Sequence, residues 1–139
     1  MLRIAFSLFL FFSATQALAQ GAQSPEQLVE SYKTALAKKD VRSYMALVSL
    51  SREQDRGPVE AQFGGRASGG GAISAKMVPF STYEAQYKQA VSRGLIPTIE
   101  PKGWLVVEFS STKLPGGAIA KESDIMIFGL RNGRYFFGS

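Results

Sequence analysis

The hydrophobic pattern changes its period near Leu95, and this change limits the fold more than any other feature of the sequence. Upstream of Leu95, apart from one short alternating stretch, apolar residues recur every three or four positions, which is typical of helices packed on one side. Downstream, apolar and polar residues alternate, which is typical of strands in a half-buried sheet. Helices followed by a run of strands predict an α+β domain, with N-terminal helices packed on a curved antiparallel sheet.

The first helix is predicted to begin after Ser24. Ser24 suits the N-cap, Pro25 suits the first helical turn, and Gln27 stands where a capping-box residue reaches back. The helix is expected to end near Lys38. Helical spacing predicts a buried face of Leu28, Tyr32, Ala35 and Leu36.

A second, shorter helix is predicted from Val41 to about Leu50, with Asp40 as its cap. Its buried stripe is expected to contain Val41, Tyr44, Met45 and Val48, with Leu47 at the edge.

A strand over Ile73–Val78 and a helix over Ser81–Arg93 are predicted next. Ser81 and Glu84 match a capping box, and Gly94 suits a left-handed stop. The alternating region then predicts strands at 104–112, 124–130 and 134–139, with reversals at 101–103, 114–117 and 132–133. Asn132-Gly133 is the strongest hairpin signal in the chain.

The segment from about 57 to 72 is predicted to be a flexible glycine-rich loop. Its core, "GGRASGGGA", places Arg66 among five glycines and so suggests a phosphate cradle. A Walker loop requires Lys and then Ser or Thr after its final glycine, but Ala72 follows Gly71. The spacing also differs from that of a dinucleotide loop, so the pattern favours an ordinary surface connection, with a lid as an open alternative.

Residues 1–19 have the pattern of a signal peptide. Arg3 precedes an apolar run, and Ala17-Leu18-Ala19 provides small residues before a cleavage point between Ala19 and Gln20. The apolar run is shorter than the roughly 20 residues that a spanning helix needs. We therefore expect a periplasmic or secreted protein without a membrane anchor after cleavage, with residues 20–139 as one domain.

The sequence contains no histidine and no cysteine. Catalytic triads that depend on histidine, thiol chemistry and the usual zinc and iron–sulfur sites are therefore excluded, and we predict no metal and no cofactor. The formal net charge is +5, but the charges are dispersed along the chain. This distribution does not predict a nucleic-acid partner.

The order of these elements resembles the nuclear transport factor 2-like superfamily, also called the cystatin-like or ketosteroid-isomerase-like cone. The resemblance is carried by "SPEQLVESYKTALAKKDVRSYMALVS" and by "WLVVEFSS" with "DIMIFGLRNGRYFF". It implies a cone-like fold in which Asp40 stands at the break between the first two helices. The superfamily includes isomerases, dehydratases, transport factors, binding proteins and immunity proteins, so the resemblance fixes no activity. No acidic residue matches a catalytic position of that family.

Four aromatic residues are candidate binding residues. Tyr32, Tyr83 and Tyr87 would give a pocket an apolar wall with hydroxyl groups, although tyrosines on such faces are commonly core residues. In strand 104–112, alternation predicts that Leu105, Val107 and Phe109 face the helices and that Trp104, Val106 and Glu108 face away. An exposed Trp104 would then be an interface residue in a weak homodimer or with a partner.

Glu108 is the weak catalytic candidate. If its face is enclosed, desolvation would raise its pKa and make it a general base. If its face is open to solvent, Glu108 is an ordinary surface residue.

Three functions remain open from the sequence. The first is a non-enzymatic domain that binds a small apolar ligand or a protein partner. The second is a small enzyme that transfers a proton through Glu108, with a tyrosine polarising a carbonyl. The third is an immunity or other interaction protein, which would bind a toxin through the exposed face of the sheet.

Overall fold

A computed structural model describes residues 20–69, 72–113, 116 and 119–139. These residues form four α-helices: Pro25–Lys38 (α1), Val41–Met45 (α2), Arg56–Ser68 (α3) and Glu84–Ser92 (α4). They also form five strands: Val48–Ser49 (β1), Ala72–Pro79 (β2), Glu100–Lys113 (β3), Ile119–Arg131 (β4) and Arg134–Gly138 (β5). Helices packed against one sheet confirm the predicted α+β class. The predicted signal peptide, residues 1–19, lies outside the described residues.

The strands form one mixed sheet in the order β1-β5-β4-β3-β2. Neighbouring strands are antiparallel except for β1 and β5, which run parallel with Val48 opposite Phe137. Strand β1 occupies the residues where the second helix was predicted to end. The Phe137 amide donates to the Leu47 carbonyl at 2.8 Å, and Val48 and Ser49 are buried. Sheet pairing and burial therefore outweigh the helical pattern of these residues.

Helix α1 forms as the sequence predicts. The amide of Gln27 donates to the Ser24 hydroxyl at 3.1 Å, and the Gln27 side chain accepts from the Gln23 amide at 2.6 Å. The helix ends at Lys38, and Lys39 adopts a left-handed conformation with φ of 53°. The predicted face is confirmed, because all four of its residues are buried: Leu28, Tyr32, Ala35 and Leu36.

Helix α2 has the predicted cap but is shorter than predicted. The Ser43 amide donates to Asp40 Oδ1 at 3.1 Å, and the helix stops at Met45. The rest of the stripe is buried, namely Tyr44, Met45, Leu47 and Val48. Val41 is 37% exposed, so its predicted burial was wrong. It stands in the first helical turn, at the edge of the packed face.

The segment predicted as a loop forms helix α3 over most of its length. This prediction was wrong because it weighed the glycines and ignored the spacing of Phe63 and Ala67, which are four residues apart and both buried. A glycine inside a helix costs about 1 kcal/mol relative to alanine. Burial of a phenylalanine contributes about 1.5–3 kcal/mol, and the tertiary contacts of α3 add to it.

Helix α4 is preceded by a 3₁₀ turn, Phe80–Tyr83, and the predicted capping box does not form. Tyr83 is the N-cap of α4, and it makes no capping hydrogen bond through its side chain. The predicted end is confirmed: Gly94 has φ of +109°, and the Leu95 amide donates to the Ala90 carbonyl at 3.0 Å.

Strand β3 begins earlier than predicted, since Pro101-Lys102-Gly103 lies inside it and is no turn. The pairing register with β4 shifts between Pro101 and Gly103, which marks an irregularity. Gly129 of β4 lies opposite Pro101, and a Cβ atom added to Gly129 would collide with the Glu100 carbonyl oxygen. The two strands therefore approach each other closely here. Of the predicted reversal at 114–117, only Gly116 lies within the described residues.

The predicted hairpin at Asn132-Gly133 is confirmed. These residues have φ of 50° and 75°, and Arg131 pairs with Arg134 across the turn. Two consecutive positive φ angles match the two-residue turn that Asn-Gly favours.

The sheet has an inner and an outer face, which we define by the alternation in β3. The inner face carries Leu105, Val107 and Phe109, which are buried in one core with α1, α2 and α3, as predicted. The outer face carries Trp104, Val106 and Glu108. Trp104 is only 8% exposed, so its predicted exposure was wrong. The reason is that the 3₁₀ turn Phe80–Tyr83 covers this end of the outer face.

Candidate functional site

The strongest candidate site is a cleft beside β4, where β5 ends. Strand β5 pairs with β4 only from Phe128 to Arg131, and β4 extends further, back to Ile119. The cleft has a volume of about 500 Å³ and lies between α3 and this part of β4. Three groups of residues form the walls of the cleft. The first group lies on α3 and contains Val59, Gln62, Phe63 and Arg66, and the second is Tyr32 with Tyr44. The third group contains residues 123–127 of β4 together with Trp104, Gly138 and Ser139.

Stacked aromatic rings form the inner wall of the cleft. The rings of Tyr44 and Phe63 lie 4.5 Å apart and nearly parallel, at 10°. Tyr32 lies 5.5 Å from the rings of both Tyr44 and Phe137. Helices α1, α2 and α3 thus each supply one ring to this wall, and the fully buried Phe137 of β5 packs against Tyr32 and Tyr44 and supports it.

An ion pair crosses the cleft from α3 to β4. Arg66 donates from Nε to Asp124 Oδ2 at 2.9 Å and from Nη2 to Oδ1 at 2.7 Å. Its Nη1 donates to Glu122, and the guanidinium lies 4.9 Å from the ring centre of Phe109. These hydrogen bonds to Asp124 and Glu122 raise the pKa of Arg66. The side chain of Asp124 is only 12% exposed, and both of its oxygens accept from Arg66.

The two tyrosines of the cleft stay protonated at neutral pH. Burial, together with the charge of Asp124, raises the pKa of Tyr44 to about 12. Burial also raises the pKa of Tyr32, and the neighbouring Tyr44 adds to that shift. Both hydroxyl groups are therefore hydrogen-bond donors and not bases under physiological conditions.

Trp104, Tyr83 and Tyr87 come together in a second aromatic group on the outer face. The rings of Phe80 and Trp104 are parallel within 2° and 6.1 Å apart, and the Trp104 indole donates to the Phe80 carbonyl at 2.9 Å. Tyr83 lies 5.7 Å from Trp104, and Tyr87 lies 5.3 Å from Phe80. Tyr32 belongs to the inner wall of the cleft, and Trp104 lines the same cleft from the outer face, whereas Tyr83 and Tyr87 are not among the residues that line it.

Glu108 lies on the outer face between Ser74 of β2 and Ser123 of β4. It is partly exposed there, and its two cross-strand neighbours are polar. The catalytic hypothesis requires an enclosed, apolar environment for this carboxylate and a tyrosine beside it. This position supplies neither condition, so it gives the hypothesis no support.

Sequence reasoning missed the charged residues of the cleft. Arg66 was considered only as part of a phosphate loop, although it points at two carboxylates of β4. The sequence did contain a signal for Asp124. Side chains alternate along a strand, so Asp124 lies on the same side of β4 as Met126 and Phe128, which is the core side. A carboxylate at such a position predicts a buried cation partner.

Within the part of the chain that the structure describes, no helix is long and apolar enough to cross a bilayer, and no group of acidic side chains is arranged to hold a metal ion. Comparison of the chain with protein-family models, curated proteins and solved structures finds no match. The resemblance to the nuclear transport factor 2-like superfamily therefore stays a prediction. The α+β class rests on the structure itself.

Proposed function

We propose that this protein is a non-enzymatic, exported domain that binds a protein partner, and that the partner occupies the cleft between α3 and β4. Export is inferred from the pattern of residues 1–19, and an immunity protein that neutralises a toxin would be one form of this function. A small apolar ligand in the same cleft is the alternative occupant. The volume of about 500 Å³ lies within the range of small-molecule sites, roughly 300–1,000 Å³.

One observation carries the proposal: the bidentate pair between Arg66 and Asp124. A general base needs a free oxygen that reaches the substrate proton. Both Asp124 oxygens are engaged, and the two tyrosines remain protonated. What the cleft offers to a ligand is thus an aromatic wall, a fixed ion pair and the main chain of β4, which are features of a binding surface.

A photocrosslinking residue at Gln62 tests this function in the full chain. Gln62 is exposed and lines the cleft. The molecule captured there in living cells would be identified, produced separately and titrated against the purified protein. We expect Gln62→Trp, which fills the cleft, to weaken its binding by at least about tenfold, or 1.4 kcal/mol.

Gln86→Trp is the matched control, because Gln86 is also an exposed helical glutamine but lies on α4. It should leave the dissociation constant unchanged. Equal effects of the two substitutions, or chemical turnover of the captured molecule, would contradict the proposal. A reporter fused to the chain that is active only outside the cytoplasm tests export separately.

A further inference from the structure

The main chain ahead of α1 is tied to the body of the domain at two consecutive residues. The Gly21 amide donates to the Ala46 carbonyl at 3.1 Å. Ala22 forms an antiparallel bridge with Tyr135 of β5, in which each amide donates to the carbonyl of the other residue at 2.8 Å. Ala22 is also buried. Segments near a chain end are ordered where such ties hold them, so the fold fixes the main chain from Gly21 onwards.

The close approach of this segment to β5 requires a glycine at position 21. Gly21 has φ of +63°, in the left-handed region that favours glycine. A Cβ atom on Gly21 would stand 2.7 Å from the ring of Phe136 and 2.7 Å from the Tyr135 carbonyl oxygen. Position 21 therefore accepts no side chain, and the contact with β5 depends on this residue staying in place.

Gln20 stands one residue ahead of these ties and is exposed. It lines a cavity of about 440 Å³ beside α1, together with Glu30, Lys38 and Asp40. Cleavage between Ala19 and Gln20, as the pattern of residues 1–19 predicts, would make Gln20 the first residue of the mature chain. Its new α-amino group and its side-chain amide would then belong to one exposed residue at the edge of the fixed main chain.

A glutamine at an amino terminus carries a nucleophile and an electrophile in the same residue. The α-amino nitrogen attacks the side-chain carbon Cδ, the new C–N bond closes a five-membered lactam, and the bond from Cδ to Nε2 breaks. The proton lost by the α-amino group leaves with Nε2 as ammonia, so the step is balanced without an oxidant or a co-reactant. An α-amino group is a weaker base than a lysine side chain, so part of it is unprotonated near neutral pH. Because both groups belong to one residue, no encounter of two molecules is needed.

We propose that the mature amino terminus of this protein is a pyroglutamate formed from Gln20. This inference rests on the proposed export, because cleavage after Ala19 is what releases the α-amino group. The lactam removes one positive charge from the end of the chain. It also leaves no α-amino group, which is the group that aminopeptidases bind. The modification therefore protects Gly21 and Ala22, and with them the tie to Tyr135.

Intact-mass spectrometry tests this inference on the full chain, expressed with residues 1–19 in a bacterium and recovered from outside the cytoplasm. The protein is incubated in mildly alkaline buffer and sampled over several days. We expect the mass of residues 20–139 to fall by that of one ammonia, and peptide fragmentation to place the loss at Gln20. The reaction should be first order, with a rate that does not depend on protein concentration. Pyroglutamyl peptidase applied to the denatured product should then expose Gly21 as the first residue.

Gln20→Asn is the matched variant, because it keeps the amide but shortens the side chain by one methylene group. Ring closure would then require a strained four-membered lactam, so we expect this variant to keep its full mass. Added aminopeptidase should remove its first residue but should leave the cyclised wild type intact. Gln23→Asn makes the same change three residues later, and it should cyclise as the wild type does.

The outcomes separate the modification from the function on which it rests. A mature chain that begins at Gln20 and keeps its full mass, cleavage at another bond, or the same loss of ammonia in Gln20→Asn would overturn the modification. The proposed function would still stand if the export reporter is active and Gln62→Trp weakens the binding of the captured molecule. Retention of residues 1–19 together with an inactive reporter would overturn export and the modification together.

Discussion

Arg66 is the residue on which the cleft depends, because it joins α3 to β4 through an ion pair with Asp124, whose side chain is largely buried. Truncation of one partner of such a pair leaves the other charge without compensation. The side chain of Arg66 is 22% exposed, so water would reach this site and reduce the free-energy cost of the uncompensated charge. Arg56 provides a natural comparison, since it pairs with Glu53 at the surface, where water screens the attraction between the two charges.

We therefore expect Arg66→Ala to lower the free energy of unfolding by about 1–3 kcal/mol. Arg56→Ala should change the free energy of unfolding much less than Arg66→Ala does, because water screens the exposed pair that it removes. Urea denaturation of both variants at neutral pH measures the difference. Equal effects would show that the Arg66 pair is no more important than an exposed one.

Tyr44 makes stability depend on pH in the alkaline range. Its pKa is about 12 in the folded protein, against an ordinary value of 10.0. A raised pKa favours the folded state fully below pH 10, and this contribution is lost as the pH rises from about 10 to 12. We expect the free energy of unfolding to fall in this window, and to fall less steeply in Tyr44→Phe. That variant keeps every lysine, so an identical pH dependence would assign the effect to other groups.

Among the elements, α1 was predicted correctly from the sequence and α3 was not, and the comparison shows why. Helix α1 was predicted with its cap, its buried face and its end, because those signals are local. The period of α3 is weak, since its glycines reduce helix propensity and only Phe63 and Ala67 are buried. Contacts with Tyr44 and β4 decide its conformation, and these residues are distant in sequence. Strand β1 was missed for the same reason, because its partner is β5.

Glycine substitutions test the conformation of α3 directly. A Cβ atom on Gly64 or Gly65 would meet no atom within 4 Å. We expect Gly64→Ala and Gly65→Ala each to raise the free energy of unfolding by about 0.5–1 kcal/mol, because alanine favours the helix. Gly129→Ala should instead destabilise the protein strongly, since its Cβ would collide with the Glu100 carbonyl. No stabilisation by either alanine in α3 would argue against a helix there.

At the scale of the whole molecule, helices cover the inner face of the sheet and the turn Phe80–Tyr83 covers one end of the outer face, and only the first of these coverings follows from the sequence. Alternation predicted correctly that Leu105, Val107 and Phe109 face the main helices. It could not predict that the chain would return across the outer face, because the period of β3 says nothing about which distant segment packs on its second side. Tyr32 and Trp104 were candidates from the sequence, but their meeting with the other residues of the cleft could not be predicted for the same reason, since six separate elements contribute to the cleft.

Substitution of Trp104 tests this second covering. Trp104 is buried beneath Phe80 and Tyr83, and its indole donates to the Phe80 carbonyl. We expect Trp104→Ala to lower the free energy of unfolding by about 3–5 kcal/mol, the usual effect for a buried large aromatic residue. Loss of these contacts should also detach the turn Phe80–Tyr83 and α4, so that hydrogen exchange accelerates in residues 80–92 before it does in α1. Ile125→Ala, on the open part of the same face, should change stability by less than about 1 kcal/mol. Trp104→Ala could instead have the same free energy of unfolding as the wild type. The outer face would then be open, and Trp104 would be available as the interface residue that alternation alone predicts.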